Sequence, residues 1–177
     1  MKVSFISKAK KQAGLTLIES MAALAIFAVV VGGALALFGG ASSSQISTQM
    51  TSDLSAIRSA VKSLYFGQGG YGTANLNAVL VNGKKVPTTM SVTAGTPPTI
   101  THGLNGTVTA TGAATNFTIT VTAVPTDVCL NLLSGTNGWN SVTVGSGTAI
   151  TAFPITPDTA STQCSAAATN TIIFQST

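Results

Sequence analysis

Acidic side chains are almost missing from this chain. Asp and Glu together number 4 in 177 residues, and charged residues of both signs make up 7%, against roughly 25% in an ordinary soluble domain. One His and two Cys are too small a stock for a metal site, and no glycine-rich loop leads into the Lys of a phosphate-binding P-loop. A positioned nucleophile, base and orienting acid is equally hard to assemble from these residues. The shortages therefore point away from enzymes and metalloproteins, and neither a cofactor nor a metal is expected. Proline is absent before Pro87, so nothing in the first half of the chain forbids a long unbroken helix.

The charge that exists is unevenly placed. Lys2, Lys8, Lys10 and Lys11 account for the whole formal net charge of +4, because Arg58, Lys62, Lys84 and Lys85 are matched by Glu19, Asp53, Asp127 and Asp158. The body is neutral, so nucleic-acid binding by a basic surface is not expected. The basic block is followed by Leu15 to Phe38, in which Glu19 is the one charge, and no charge occurs from Met21 to Ala41. At about 1.5 Å per residue the uncharged run reaches roughly 31 Å as a helix, the thickness of a bilayer's hydrocarbon. Lysines before the run and none just after it place the N-terminus in the cytoplasm and export the remainder. A secretory signal would carry its small-residue cleavage site after the apolar run, whereas Gly14 precedes it. Glu19 is costly in such a segment, by about 2.5 to 3.5 kcal/mol at a membrane centre.

The stretch Lys10 Lys11 Gln12 Ala13 Gly14 Leu15 Thr16 Leu17 Ile18 Glu19 resembles the processing site of the type IV pilin family: a basic leader, a glycine at the cut, an apolar new N-terminus and a glutamate fifth after it. The resemblance implies that an inner-membrane prepilin peptidase cuts between Gly14 and Leu15 and methylates the Leu15 amine. Leu15 stands where the family most often has Phe, and with the longish leader this points to the type IVb branch. Glu19 also has a physical reading. The α-amino cation of a neighbouring cut chain can sit beside it, an acid and an amine in low dielectric that compensate each other and set helix register, and breaking such a pair costs about 3 to 5 kcal/mol. In a lone membrane-bound chain the same carboxylate can reach toward the cytoplasmic headgroups.

From Ile46 the apolar residues fall at 46, 50, 54, 57, 61 and 64, one face of a helix. The pattern predicts one long helix over about 16–66, apolar all round in its first half and packed against a domain in its second. Gly32, Gly33, Gly39 and Gly40 form a soft point within it; resemblance to assembled pili implies that part of this segment loses helical order in the filament. Gly67, Gly69 and Gly72 fit a GxGxxG spacing but follow a helix rather than a strand, so they read as a helix-ending turn. Leu64 Tyr65, Gly67 Gln68 and Tyr71 resemble the same region of bundle-forming and plasmid-encoded thin-pilus pilins.

Beyond residue 85 the periodicity changes to alternation. Asn116 to Val124 places Phe117, Ile119, Val121 and Ala123 on one face, and Thr107 to Thr111 precedes it across a hairpin. Ser141 to Val144, Ala149 to Phe153 and Thr171 to Gln175 are further strands, and Thr126 to Leu133 and Pro157 to Ala168 short helices, the latter capped by Thr156. Asp127 and Asp158 read as helix-start residues, His102 as a solvated loop group, and Trp139 as a core lid rather than an exposed binding aromatic. Asn105 and Asn116 open glycosylation triplets to which no role is given. Cys129 and Cys164 are either a disulfide or two buried thiols. Their flanking residues, Asp127 to Leu132, Thr156 to Asp158 and Gln163, resemble the segments around the type IVb pilin disulfide, which implies the bond.

The expected fold is α+β, a long N-terminal helix on an antiparallel sheet head with one disulfide. It divides into a cleaved leader (1–14), a transmembrane and filament-core half-helix (15–41) and an exported head (42–177). The function implied is a structural subunit, the major pilin of a type IVb pilus for adherence, aggregation or conjugation. The alternative is a minor pilin or a type II secretion pseudopilin acting as initiator, adhesin or piston. Its partners would be copies of itself in a helical filament, the peptidase, an inner-membrane platform and an assembly ATPase. It would sit in a bacterial inner membrane as a precursor and then in the extracellular filament.

Overall fold

The computed structural model describes residues 17–164 and 169–177, with side chains at all of these except 35–42. Helix α1 spans Leu17–Leu64, and contacts divide the chain into a unit ending at Gly40 and a head, Ala41–Thr177. In the first unit the window Leu17–Ala34 has a mean hydropathy of 2.1 with none of its side chains buried, so the apolar surface faces outward on every side. The helix passes through Gly32 and Gly33, where an added Cβ would meet nothing within 4 Å.

In the head, the expected face of α1 is buried. Met50, Leu54, Ile57 and Val61 enter the core, with Ile46 and Leu64 half-covered at its ends. The helix stops two residues earlier than the periodicity predicts, because Tyr65 and Phe66 continue only as a turn, bonded to Val61 O and Ser63 O, and Gly67 takes a φ of +79°. The chain then runs beside the sheet, with Tyr71 N donating to Ala114 O at 2.7 Å and Leu76 N to Ala110 O at 2.8 Å. This approach needs Gly112, since a Cβ there would lie 2.2 Å from Tyr71 O.

Helix α2 (Asn77–Asn82) leads to the sheet strands β1 (Ser91–Thr93), β2 (Thr99–Thr101), β3 (Thr107–Ala113) and β4 (Asn116–Val124). Helix α3 (Thr126–Ser134), strand β5 (Ser141–Val144), helix α4 (Pro157–Gln163) and strand β6 (Asn170–Ser176) complete the head. The six strands lie in the order β1-β2-β3-β4-β6-β5, every neighbouring pair antiparallel. The C-terminal strand therefore fills an interior slot, and Ile172 and Phe174 are wholly buried there beside Phe117, Ile119 and Val121 of β4.

Three further expectations of secondary structure change. Alternation in β4 breaks at Ala123, which has a φ of +56° and is only half-buried, while Val124 is buried in its place. The β4–β6 register shifts between Val121 and Val124, and the bulge's additional residue reverses the facing of the strand beyond it. Ala149 to Phe153 is not a strand, because its pairing stops at a single bridge, Val142 to Ile150, and Pro154 offers no N–H to extend it. Helix α4 ends at Gln163, with Cys164 extended as its C-cap, and 165–168 lie outside the described residues. Thr156 caps α4 as expected, accepting from Thr159 N at 3.3 Å.

Candidate functional site

The cut expected at Gly14 and Leu15, and with it the methylated amine, lies outside the described residues. Glu19 is described. It occupies the first turn of α1, where a carboxylate is favourable to the helix dipole, and it is exposed on a helix whose neighbouring side chains are almost all apolar. Next to it Ser20 Oγ donates to Leu17 O at 2.9 Å, folding its own polar group back onto the helix. The only charge in this apolar surface is thus presented outward, where a second helix can reach it.

Three distinct ties fasten the head. Cys129 of α3 and Cys164 at the end of α4 form a disulfide with Cα atoms 6.0 Å apart. Ser43 Oγ, near the beginning of the head, donates to Asp127 Oδ2 in the first turn of α3. That hydrogen bond, assisted by backbone donors at Val128 and Asp127 itself, holds the Asp127 carboxyl below its ordinary value against a smaller opposing effect of burial. Arg58 on α1 lies over the Trp139 ring, 4.9 Å from its centroid, and donates to Gly138 O. Trp139 is 8% exposed and packs on Phe174 with centroids 5.1 Å apart, so it is a lid on the core.

His102 is not a solvated group. It is 4% exposed, with Nε2 2.9 Å from Thr122 O and Nδ1 accepting from Leu104 N at 3.3 Å. Its ring closes the β2–β3 turn against β4, a role invisible to a reading that saw only Thr and Gly beside it. Sequence reasoning also missed Asn77, buried at 3%, whose side chain donates to Pro98 O and Val108 O and accepts from Ala110 N. Among the described residues no group of three or more His, Cys, Asp or Glu could hold a metal ion.

An outward-facing apolar helix that continues as the amphipathic spine of a disulfide-tied sheet domain defines a helix-anchored α+β protein. The chain belongs to the type IV pilin family: residues 43–177 match the family described as PilS N terminal, and residues 9–35 match the prokaryotic N-terminal methylation motif. Among curated proteins it is similar to the major structural subunit of bundle-forming pilus of Escherichia coli O127:H6 (strain E2348/69 / EPEC), 30% identical over 182 residues. The protein of the same description from Escherichia coli O111:H- is 31% identical over 183 residues, and each alignment covers 92% of both chains.

Proposed function

We propose that this chain is the major structural subunit of a type IVb, bundle-forming-like pilus. It is made as a prepilin with leader 1–14, cut by prepilin peptidase between Gly14 and Leu15, methylated at Leu15 and polymerised through its N-terminal helix. The observation that carries this reading is the junction of the two family matches, a methylation motif over 9–35 joined to a pilin head over 43–177. Before assembly, the apolar surface of Leu17–Ala34 belongs in the inner membrane. In the filament it is covered by the helices of other copies, close packing being favoured by Gly32 and Gly33. An assembly ATPase and an inner-membrane platform supply the work of extraction from lipid.

Glu19 sets register in this scheme by facing the Leu15 amine of a neighbouring subunit, since two opposite charges removed from water together cost far less than either alone. Glu19→Val tests it. The variant is exported and processed as usual but yields no filaments in the sheared-surface fraction, whereas normal filament yield from Glu19→Val would remove the register role.

A further inference from the structure

Asp53 on α1 is a buried carboxylate, 7% exposed, whose hydrogen-bond partners are both neutral. Its oxygens accept from Gln49 Nε2 at 2.9 Å and from Thr89 Oγ1 at 2.7 Å. It lines a cavity of about 120 Å³ whose apolar wall is Ile46 and Met50 and whose rim includes Gln49 and the His102–Gly103 turn. His102 does not serve as its cation, because both ring nitrogens are engaged by backbone groups of Thr122 and Leu104. Nor does Arg58, which is held by Gly138 O and the Trp139 ring.

The remaining cations of the head lie toward the other end of α1. Lys62 is exposed on the helix, and Lys84 and Lys85 are exposed on a turn that lines a groove with Ala56, Ser59, Ala60 and Ser63, the stretch of α1 following Asp53. Just past Lys62, Phe66 is 89% exposed, the most exposed large hydrophobic side chain among the described residues. From Asp53 to Lys62 the helix rises about 13 Å. The head is therefore polarised along α1, with an apolar knob and lysines at one end and an apolar-walled acidic cavity toward the other.

We propose that these are the two halves of one contact between copies: Phe66 and its lysines on one head seat at the Asp53 cavity of the next. The Phe66 ring meets Ile46 and Met50, and a lysine ammonium approaches Asp53. Knob and receptor lie on different parts of one molecule, so the contact is heterologous, does not close on itself and propagates along a filament. Charge complementarity of this kind fixes partner and register. The inference rests on the reading of the chain as a polymerising pilin.

The test places Gln49→Cys and Phe66→Cys together in the full chain in filament-forming cells, with sheared filaments oxidised and run on a non-reducing gel. The double variant gives a ladder of multimers, while each single variant gives at most dimers. Filaments of the double variant that run only as monomer overturn the contact. Independently, the triple variant Lys62→Glu, Lys84→Glu and Lys85→Glu changes only exposed side chains. Its filament yield falls roughly tenfold with the melting temperature of the protein unchanged, and an unchanged yield overturns the proposal. Absence of filaments from unmodified cells would instead count against the polymerising reading itself.

Discussion

Asp127 carries a pH dependence that stems from its one strong partner. The Ser43 hydroxyl lowers its pKa in the folded head relative to the ordinary 3.8. A carboxyl depressed by folding contributes stability that is present above its unfolded value and is lost as pH falls through the folded one. The head is thus expected to lose stability in the acid window below about pH 4, and Ser43→Ala flattens that limb. Thermal unfolding of a fragment beginning at Ala41, followed from pH 6 down to about pH 2, checks it. Identical acid limbs in both proteins would show that Ser43 does not set the Asp127 charge. Glu19 lies outside the head, in the unit that ends at Gly40, and its proposed role is in assembly, so its variant is expected to leave the head's melting curve untouched.

At the scale of elements, α3 and α4 are joined where neither is long enough to hold itself. They have nine and seven residues, shorter than a helix that is stable alone, and the Cys129–Cys164 bond closes a loop with a sequence separation of 35. Loop-closure entropy of that size corresponds to about 4 kcal/mol. The double variant Cys129→Ser and Cys164→Ser is expected to melt on the order of 10 °C lower, and an unchanged melting temperature would place the stability of this region elsewhere. Asn77→Ala is expected to cost about 1 to 3 kcal/mol in denaturant unfolding, because it removes the side-chain acceptor of Ala110 N and two further hydrogen bonds in a buried site. A cost near zero would mean that the α2–β3 junction rearranges.

The elements that the sequence revealed are those with enough residues to show a period. Helix α1 carries six apolar positions at helical spacing, and β4 alternates cleanly from Phe117 to Val121. Strands β1 and β2 have three residues each, too few for any period. Helix α2 has six residues, with Leu76 and Leu80, four apart before Gly83, as its one local signal. Periodicity misplaces Ala123 because a bulge is a property of strand pairing, which no single strand's pattern contains. His102 and Asn77 owe their burial to β3, β4 and the Pro98 turn folding over them, contacts between residues distant in the chain. The N-terminal methylation motif over 9–35 was legible for the opposite reason, since its meaning lies in order along the chain.

The whole molecule combines a nearly neutral head, in which Arg58, Lys62, Lys84 and Lys85 stand against Asp53, Asp127 and Asp158, with a helix whose apolar surface Leu17–Ala34 cannot remain in water. Such a chain is stable in two settings, in lipid as a single copy or in a filament where other helices cover it. In the proposed scheme, movement from the first to the second begins at the cut before Leu15, which would create the amine that Glu19 is proposed to meet. The most direct measurement is intact mass together with N-terminal sequencing of the protein sheared from the surface of its native cells. An abundant chain that begins at methylated Leu15 is the expected result. A chain that retains its leader, or one that stays with the cells and is absent from the sheared fraction, would contradict its role as a processed major pilin.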